Sequence, residues 1–300
     1  MDSVIKVDHL SHRYGKKIAL DDVSFEVPKG RVFGLVGENG AGKTTLIKHL
    51  LGSLCPDEGK VTVFNTEPTR DPASVLARIG YLSEDRDLPL WMRVKELMRY
   101  TQAFFPDWDE TYAQELLTRF RLSPDAKIRN LSRGEKARAG LLVALSHKPE
   151  LLLLDEPSSG LDAVSRNDIL GVVVRSVAEE GRTVVFSSHL LDEVERIADD
   201  VAMFSNGKLE LLMSMEDLRT NHQRRVVELP EGIDKFPNLP NVLHAEGEGR
   251  EWAVVCHGNA DNTRRELESI GARILDESAP SLNTVFLARV NANHEPITHD

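Results

Sequence analysis

The segment from Arg31 to Leu51 restricts what this chain can fold into more than any other. An apolar run, Arg31 to Val36, ends in Gly37-Glu38-Asn39-Gly40-Ala41-Gly42-Lys43-Thr44, and Thr44 to Leu51 then carries helical spacing. A buried strand, a glycine-rich loop and a helix in direct succession are predicted. Glycines in such a loop let backbone N–H groups curl around a phosphate at the start of the helix. Within it, Lys43 is expected to reach the β- and γ-phosphates of a nucleotide and the Thr44 hydroxyl to ligate Mg²⁺. The nucleotide-binding stretch is taken to run from Gly37 to Thr45.

A second apolar run, Leu151 to Leu154, is closed by Asp155-Glu156-Pro157. A buried strand that ends in two adjacent acids suits a metal-dependent phosphoryl transfer, with Asp155 in the Mg²⁺ shell and Glu156 polarising the attacking water. Leu131-Ser132-Arg133-Gly134-Glu135 opens a helical stretch with Ser and Gly, again a geometry that favours anions. Ser159-Gly160-Leu161-Asp162 follows, and Ser187-Ser188-His189 ends a further apolar run, Thr183 to Phe186. The order of these pieces along the chain is far more specific than any one of them.

The remainder divides by pattern. The first 30 residues alternate polar and apolar and then meet Pro28-Lys29-Gly30, which predicts short antiparallel strands. Asp71 to Leu145 reads as mostly helical, and Asn206-Gly207 is a type I′ hairpin signal. Composition shifts near Thr220, with Asn221 to Arg225 read as a linker. Beyond it come strands at 225–229, 251–255 and 273–275, a helix at 263–270 and a short final helix. With 300 residues the chain has room for a large and a small core. Its apolar stretches fall short of the roughly 20 residues of a membrane span, and no signal-peptide pattern opens it. A cytoplasmic chain is therefore expected. Cys55 and Cys256 stand alone, outside any metal or disulfide spacing. The formal net charge of −11 gives no attraction toward nucleic acid or anionic lipid, so no nucleic-acid partner is expected and membrane association must pass through a protein.

Taken in order, these motifs resemble the ABC ATPase family over residues 4 to about 215. The resemblance implies an α/β P-loop NTPase domain at 1–220 with antiparallel β and helical subdomains (the latter at about 84–148), followed by an α+β accessory module at 221–300. It implies ATP hydrolysis with Mg²⁺ by one half of an ATP-sandwiched homodimer or heterodimer that drives a separate membrane permease from the inner face of the membrane. By the same resemblance Tyr14 stacks on adenine, while Ser132, Gly134 and Glu135 belong to a signature loop that contacts the γ-phosphate held by the other subunit. Asp162 belongs to the loop linking the two sites, and His189 is a switch histidine at the γ-phosphate. Two departures stand out: Arg133 and Glu135 replace the common Gly and Gln, and Glu84 takes the position of a Gln that senses Mg²⁺ and γ-phosphate. Tyr81 to Arg86, Phe105 to Glu110 and Pro280 to Phe286 are similar to bacterial ABC-2 type exporter ATPases. A soluble family member in translation or DNA repair is the rival, though the paired domains or long coiled-coil insertions usual there are not seen. A third reading is an importer ATPase with a regulatory C-terminal domain. Residues 85–105, with Leu88, Leu90, Trp91 and Met92 beside Arg86, Arg93 and Lys95, are expected to dock the permease.

Overall fold

Alternation of buried and exposed side chains in the first thirty residues produces two long strands, β1 (Ser3–Tyr14) and β2 (Lys17–Pro28), paired antiparallel. The computed structural model describes residues 2–178, 180–233, 235–258 and 260–293. Its next elements are β3 (Val32–Gly37), α1 (Lys43–Leu50) and β4 (Glu58–Val63), the last pairing with β1 to complete a three-stranded antiparallel sheet. The strand, loop and helix predicted around Gly37–Thr44 are all present.

A six-stranded sheet forms the centre of the first compact unit, Met1–Leu212. After α2 (Pro72–Leu76) come β5 (Ile79–Leu82), α3 (Val94–Gln102), α4 (Glu110–Arg119) and α5 (Arg133–Leu145). Then follow β6 (Leu151–Leu154), α6 (Ala163–Ala178), β7 (Thr183–Ser188), α7 (Leu191–Ile197), β8 (Asp200–Ser205) and β9 (Lys208–Ser214). Strand order is β5-β6-β7-β3-β8-β9, and β5/β6, β6/β7, β7/β3 and β3/β8 are all parallel. Every residue of β3, β6 and β7 is buried, as a sheet covered on both faces requires. Parallel direction puts the carboxyl ends of β3, β6 and β7 on one edge, where ligands bind in open α/β sheets. Asn206 and Gly207 have φ of 49° and 81°, the left-handed pair that a type I′ turn demands, and they join β8 to β9.

Two stretches depart from the sequence reading. β5 lies inside the segment read as helical; it is a four-residue edge strand, too short for its period to register beside the flanking helices. Asn221–Arg225 is not a linker, because Asn221 ends α8 (Met215–Asn221) and His222 opens β10 (His222–Glu228).

The second unit, Met213–Asp300, holds these two elements with β11 (Val242–Glu248), β12 (Glu251–His257), α9 (Ala260–Ser269), β13 (Arg273–Ser278) and α10 (Leu282–Asn293). Its strands form an antiparallel sheet in the order β11-β12-β10-β13. Val227, Leu229, Val254, Cys256, Leu267 and Ala272 make its core. The expected module reaches 300, of which residues 294–300 lie outside the described residues. Among the described residues no helix is long and apolar enough to cross a membrane.

Candidate functional site

The loop between β3 and α1 follows a path that only glycine tolerates at its tightest point. Gly42 precedes α1 with φ of 110°, and a Cβ there would sit 2.6 Å from the Ala19 carbonyl oxygen. No other residue fits both the backbone and the space. Behind the loop, Lys43 is 4% exposed and its Nζ donates to the Gly37 carbonyl oxygen at 2.5 Å and to that of Glu38 at 3.3 Å. Ala41 is buried, and its N–H donates to the Glu38 carbonyl.

Leu151 to Leu154 carries Asp155 and Glu156 to the same edge, both almost fully buried. The Glu156 carboxylate is held from two sides: Oε1 lies 3.1 Å from Lys43 Nζ and Oε2 lies 2.7 Å from His189 Nδ1. The Lys43 contact is a charge pairing rather than an aligned hydrogen bond, since Oε1 accepts no hydrogen bond among the described residues. Glu156 also has φ of 45°, a left-handed conformation that costs a non-glycine residue roughly 1–3 kcal/mol. Its backbone N–H, turned out of the strand ladder, donates to Ser187 Oγ at 2.7 Å, and the same hydroxyl donates to Asp155 Oδ1 at 2.7 Å. Ser187 thus ties both acids to the end of β7. A parallel tie lies beside it: Ser158 Oγ and Ser188 Oγ both donate to Glu193 Oε2, at 2.6 and 3.2 Å. Neither tie was drawn from the sequence. The readable signal was the pair of serines that closes a wholly buried strand, where each hydroxyl must find a partner.

A pocket of about 220 Å³ opens over this edge, lined among others by Tyr14, Glu38, Asn39, Gly40, Lys43, Thr44, Thr45, Glu84 and Glu156. Tyr14 is half exposed, its ring edge-on to that of His12 at 4.8 Å, which in turn meets His49 at 4.8 Å. Burial, and then the neighbouring His12, push His49 down to about 4, so the His49 ring is neutral near pH 7. Glu84 faces the pocket with its carboxyl raised above the ordinary value, chiefly by burial and then by the charges of Glu156 and Asp155. Thr44, Asp155 and Glu84 offer hard oxygen donors. Among the described residues no cluster of three or more His, Cys, Asp or Glu side chains could hold a metal by itself. Magnesium usually takes one or two carboxylates and completes its shell with water and substrate phosphate, and the donors here fit that pattern.

Ser132, Gly134, Glu135 and Asp162 do not line this pocket. Ser132 caps α5, its Oγ accepting from the Glu135 N–H at 3.2 Å while Glu135 Oε2 accepts from the Ser132 N–H at 2.8 Å. This capping box lowers the Glu135 carboxyl through the Ser132 N–H. Asp162 opens α6 by accepting from the N–H groups of Val164 and Ser165, both at 3.0 Å. Arg86, read as part of a docking surface, turns inward instead: its guanidinium donates to the carbonyls of Pro157 at 3.3 Å and Ser159 at 2.7 Å. Met92 from the same expected surface is buried.

A family model for the ABC transporter matches residues 20–159. The Nod factor export ATP-binding protein I of Rhizobium leguminosarum bv. viciae is 36% identical over 289 residues, covering 93% of this chain and 92% of that protein. The chain belongs to the ABC transporter family. Among solved structures, that of an ATP-binding subunit of an ABC transporter superposes with a TM-score of 0.66 at 27% identity, covering 72% of this chain and 92% of the other. The dimeric, post-hydrolysis ATP-binding cassette MJ0796 bound to ADP and Pi shares the fold, with a TM-score of 0.63 at 20% identity, covering 70% of this chain and 98% of the other. As an ABC transporter ATP-binding subunit, the chain binds and hydrolyses ATP.

Proposed function

We propose that this subunit energises an exporter, hydrolysing ATP as one half of a sandwich dimer, homomeric or heteromeric, docked on a membrane permease at the inner face of the cell membrane. The observation that carries the chemistry is the position of Glu156 between Lys43 and His189. In this reading Lys43, Thr44 and the loop N–H groups hold the phosphates, and Tyr14 stacks on adenine. Glu156 orients and deprotonates the attacking water, and His189 steadies that carboxylate and the γ-phosphate. Asp155, Thr44 and Glu84 would hold Mg²⁺, which when bound neutralises charge on the phosphate oxygens.

Ser132, Gly134, Glu135 and Asp162 lie outside the pocket, as suits residues that act on nucleotide held by the other subunit of the sandwich. Export is favoured by the similarity to the Nod factor export protein, which extends over 93% of the chain and so includes the second unit. Changing Glu156 to Gln keeps the shape of the side chain and removes the base. ATP binding should persist while steady-state phosphate release falls by roughly 100-fold or more. Release at more than half the parent rate would overturn the assignment of Glu156.

A further inference from the structure

Away from the nucleotide pocket, the end of α4, the face of α5 and the face of α6 enclose a cavity of about 340 Å³ whose lining includes Arg119, Arg121, Arg138 and Arg175. Among the described residues one carboxylate, Asp168, lines it, and that group pairs with Arg138 Nη1 at 3.2 Å. The arrangement is at odds with the chain as a whole, which has a formal net charge of −11. Like charges converging on one cavity repel, and the repulsion grows as water is excluded. Arg119 and Arg175 each sit in the last turn of a helix, where the dipole favours a cation and offsets part of that cost. The dipole does not supply acceptors for the donors. The Nε atoms of Arg138 and Arg175 are shielded from solvent and have no hydrogen-bond partner among the described residues, a situation that calls for an acceptor.

We propose that this cavity is a binding site for a small multivalent phosphate-bearing anion, held by Arg119, Arg138 and Arg175. Planar guanidinium groups match the oxygen spacing of phosphate in paired hydrogen bonds, and one anion would accept from the guanidinium groups that line the cavity and cancel their repulsion together. The site joins α5, capped by Ser132, to α6, which follows Asp162, so its occupant braces the two helices that open with the expected inter-subunit loops.

The test is calorimetric titration of inorganic pyrophosphate into the full-length protein in metal-free, low-salt buffer, with a saturating non-hydrolysable ATP analogue filling the phosphate loop. Saturable binding is expected, weakened at least tenfold by Arg119→Gln combined with Arg175→Gln and left in place by Lys43→Ala. A signal lost in Lys43→Ala but kept in the arginine variant would belong to the phosphate loop and overturn the proposal, as would no binding at millimolar pyrophosphate. Thermal melting gives a readout that separates an anion site from a structural cluster. Without anion, Arg175→Gln should melt at or above the parent temperature, because it relieves repulsion, and the parent alone should gain stability on adding pyrophosphate. A lower melting temperature for Arg175→Gln in anion-free buffer would mean that the arginine is an internal tie and would overturn the reading. Anionic phospholipid vesicles are titrated in parallel: a response to vesicles without one to pyrophosphate would mark a lipid surface site and overturn the proposal of a free anion.

Discussion

Ser187 shows how little of a site's support is written in its motif. The hydroxyl serves the backbone of Glu156 and the carboxylate of Asp155 at once, and the first of these holds a residue in a strained left-handed conformation. Ser187→Ala orphans a buried donor and a buried acceptor, each costing about 1–3 kcal/mol, so stability should fall. Because the strain at Glu156 is then free to relax, the catalytic rate should fall by roughly tenfold or more while the KM for ATP stays near the parent value. Ser187→Thr, which keeps the hydroxyl, should recover most of the rate, and an unchanged rate in the alanine variant would show that the tie is not needed.

Glu84 stands where the family resemblance leads one to expect a Gln. Burial and the nearby Glu156 and Asp155 charges raise its carboxyl, so as pH falls it takes up its proton above the ordinary glutamate value of 4.5 and loses the anionic oxygen offered to a metal. The parent should therefore need more Mg²⁺ for half-maximal ATPase at the acidic end of its range than at neutral pH. Glu84→Gln should need more Mg²⁺ at neutral pH and show a weaker dependence on acidity, since the amide does not titrate in this range. Superimposable Mg²⁺ titrations of the two proteins would remove Glu84 from the metal's surroundings.

At the scale of elements, legibility followed burial. The strands β3, β6 and β7 are continuous apolar runs closed by polar residues, and the hairpin at Asn206-Gly207 has its turn chemistry written out. By contrast, β11 is an edge strand, mostly half-buried or exposed, with Gly247 between Glu246 and Glu248, so its sequence carries neither alternation nor strong β-propensity. Lys43, Thr44, Asp155 and Glu156 were legible because they follow the buried strands β3 and β6, whereas Tyr14 and Glu84 were expected at the site only from the resemblance. The inward turn of Arg86 was not, because its partners are backbone carbonyls 71 and 73 positions away, which no side-chain pattern encodes. Of the expected docking surface, Leu90, Trp91, Tyr100 and Phe104 are exposed, with Trp91 72% exposed, and basic Lys95 is exposed in the same stretch. A large exposed indole of this kind is a common anchor of protein interfaces. Trp91→Ser should leave the basal ATPase of the isolated subunit within about twofold and abolish most of its stimulation by the permease. Equal stimulation of parent and variant would move the docking surface elsewhere.

On the scale of the whole molecule, one chain holds the phosphate loop and Glu156 in a single pocket and leaves the capping box at Ser132 and the turn at Asp162 outside it. If a second subunit completes the site, nucleotide lies between two protein surfaces, and its free energy of binding is shared between holding ATP and holding the dimer. Hydrolysis then separates the halves, because the γ-phosphate is the group both would contact. A subunit that binds ATP and cannot cleave it should accumulate as the dimer. Glu156→Gln supplies this subunit, since the amide retains the volume of the carboxylate and removes one negative charge from beside the phosphates. Size-exclusion chromatography with ATP and Mg²⁺ should shift this variant from monomer to dimer, ADP should leave it monomeric, and the parent should show little dimer once its ATP is spent. Adding Lys43→Ala, which removes the cation expected at the phosphates, should abolish the shift. A monomer at every ATP concentration would overturn the homodimer. Restoration of the shift by a second, different ATP-binding subunit would then assign the heterodimer, in which this chain supplies one face of each sandwiched nucleotide.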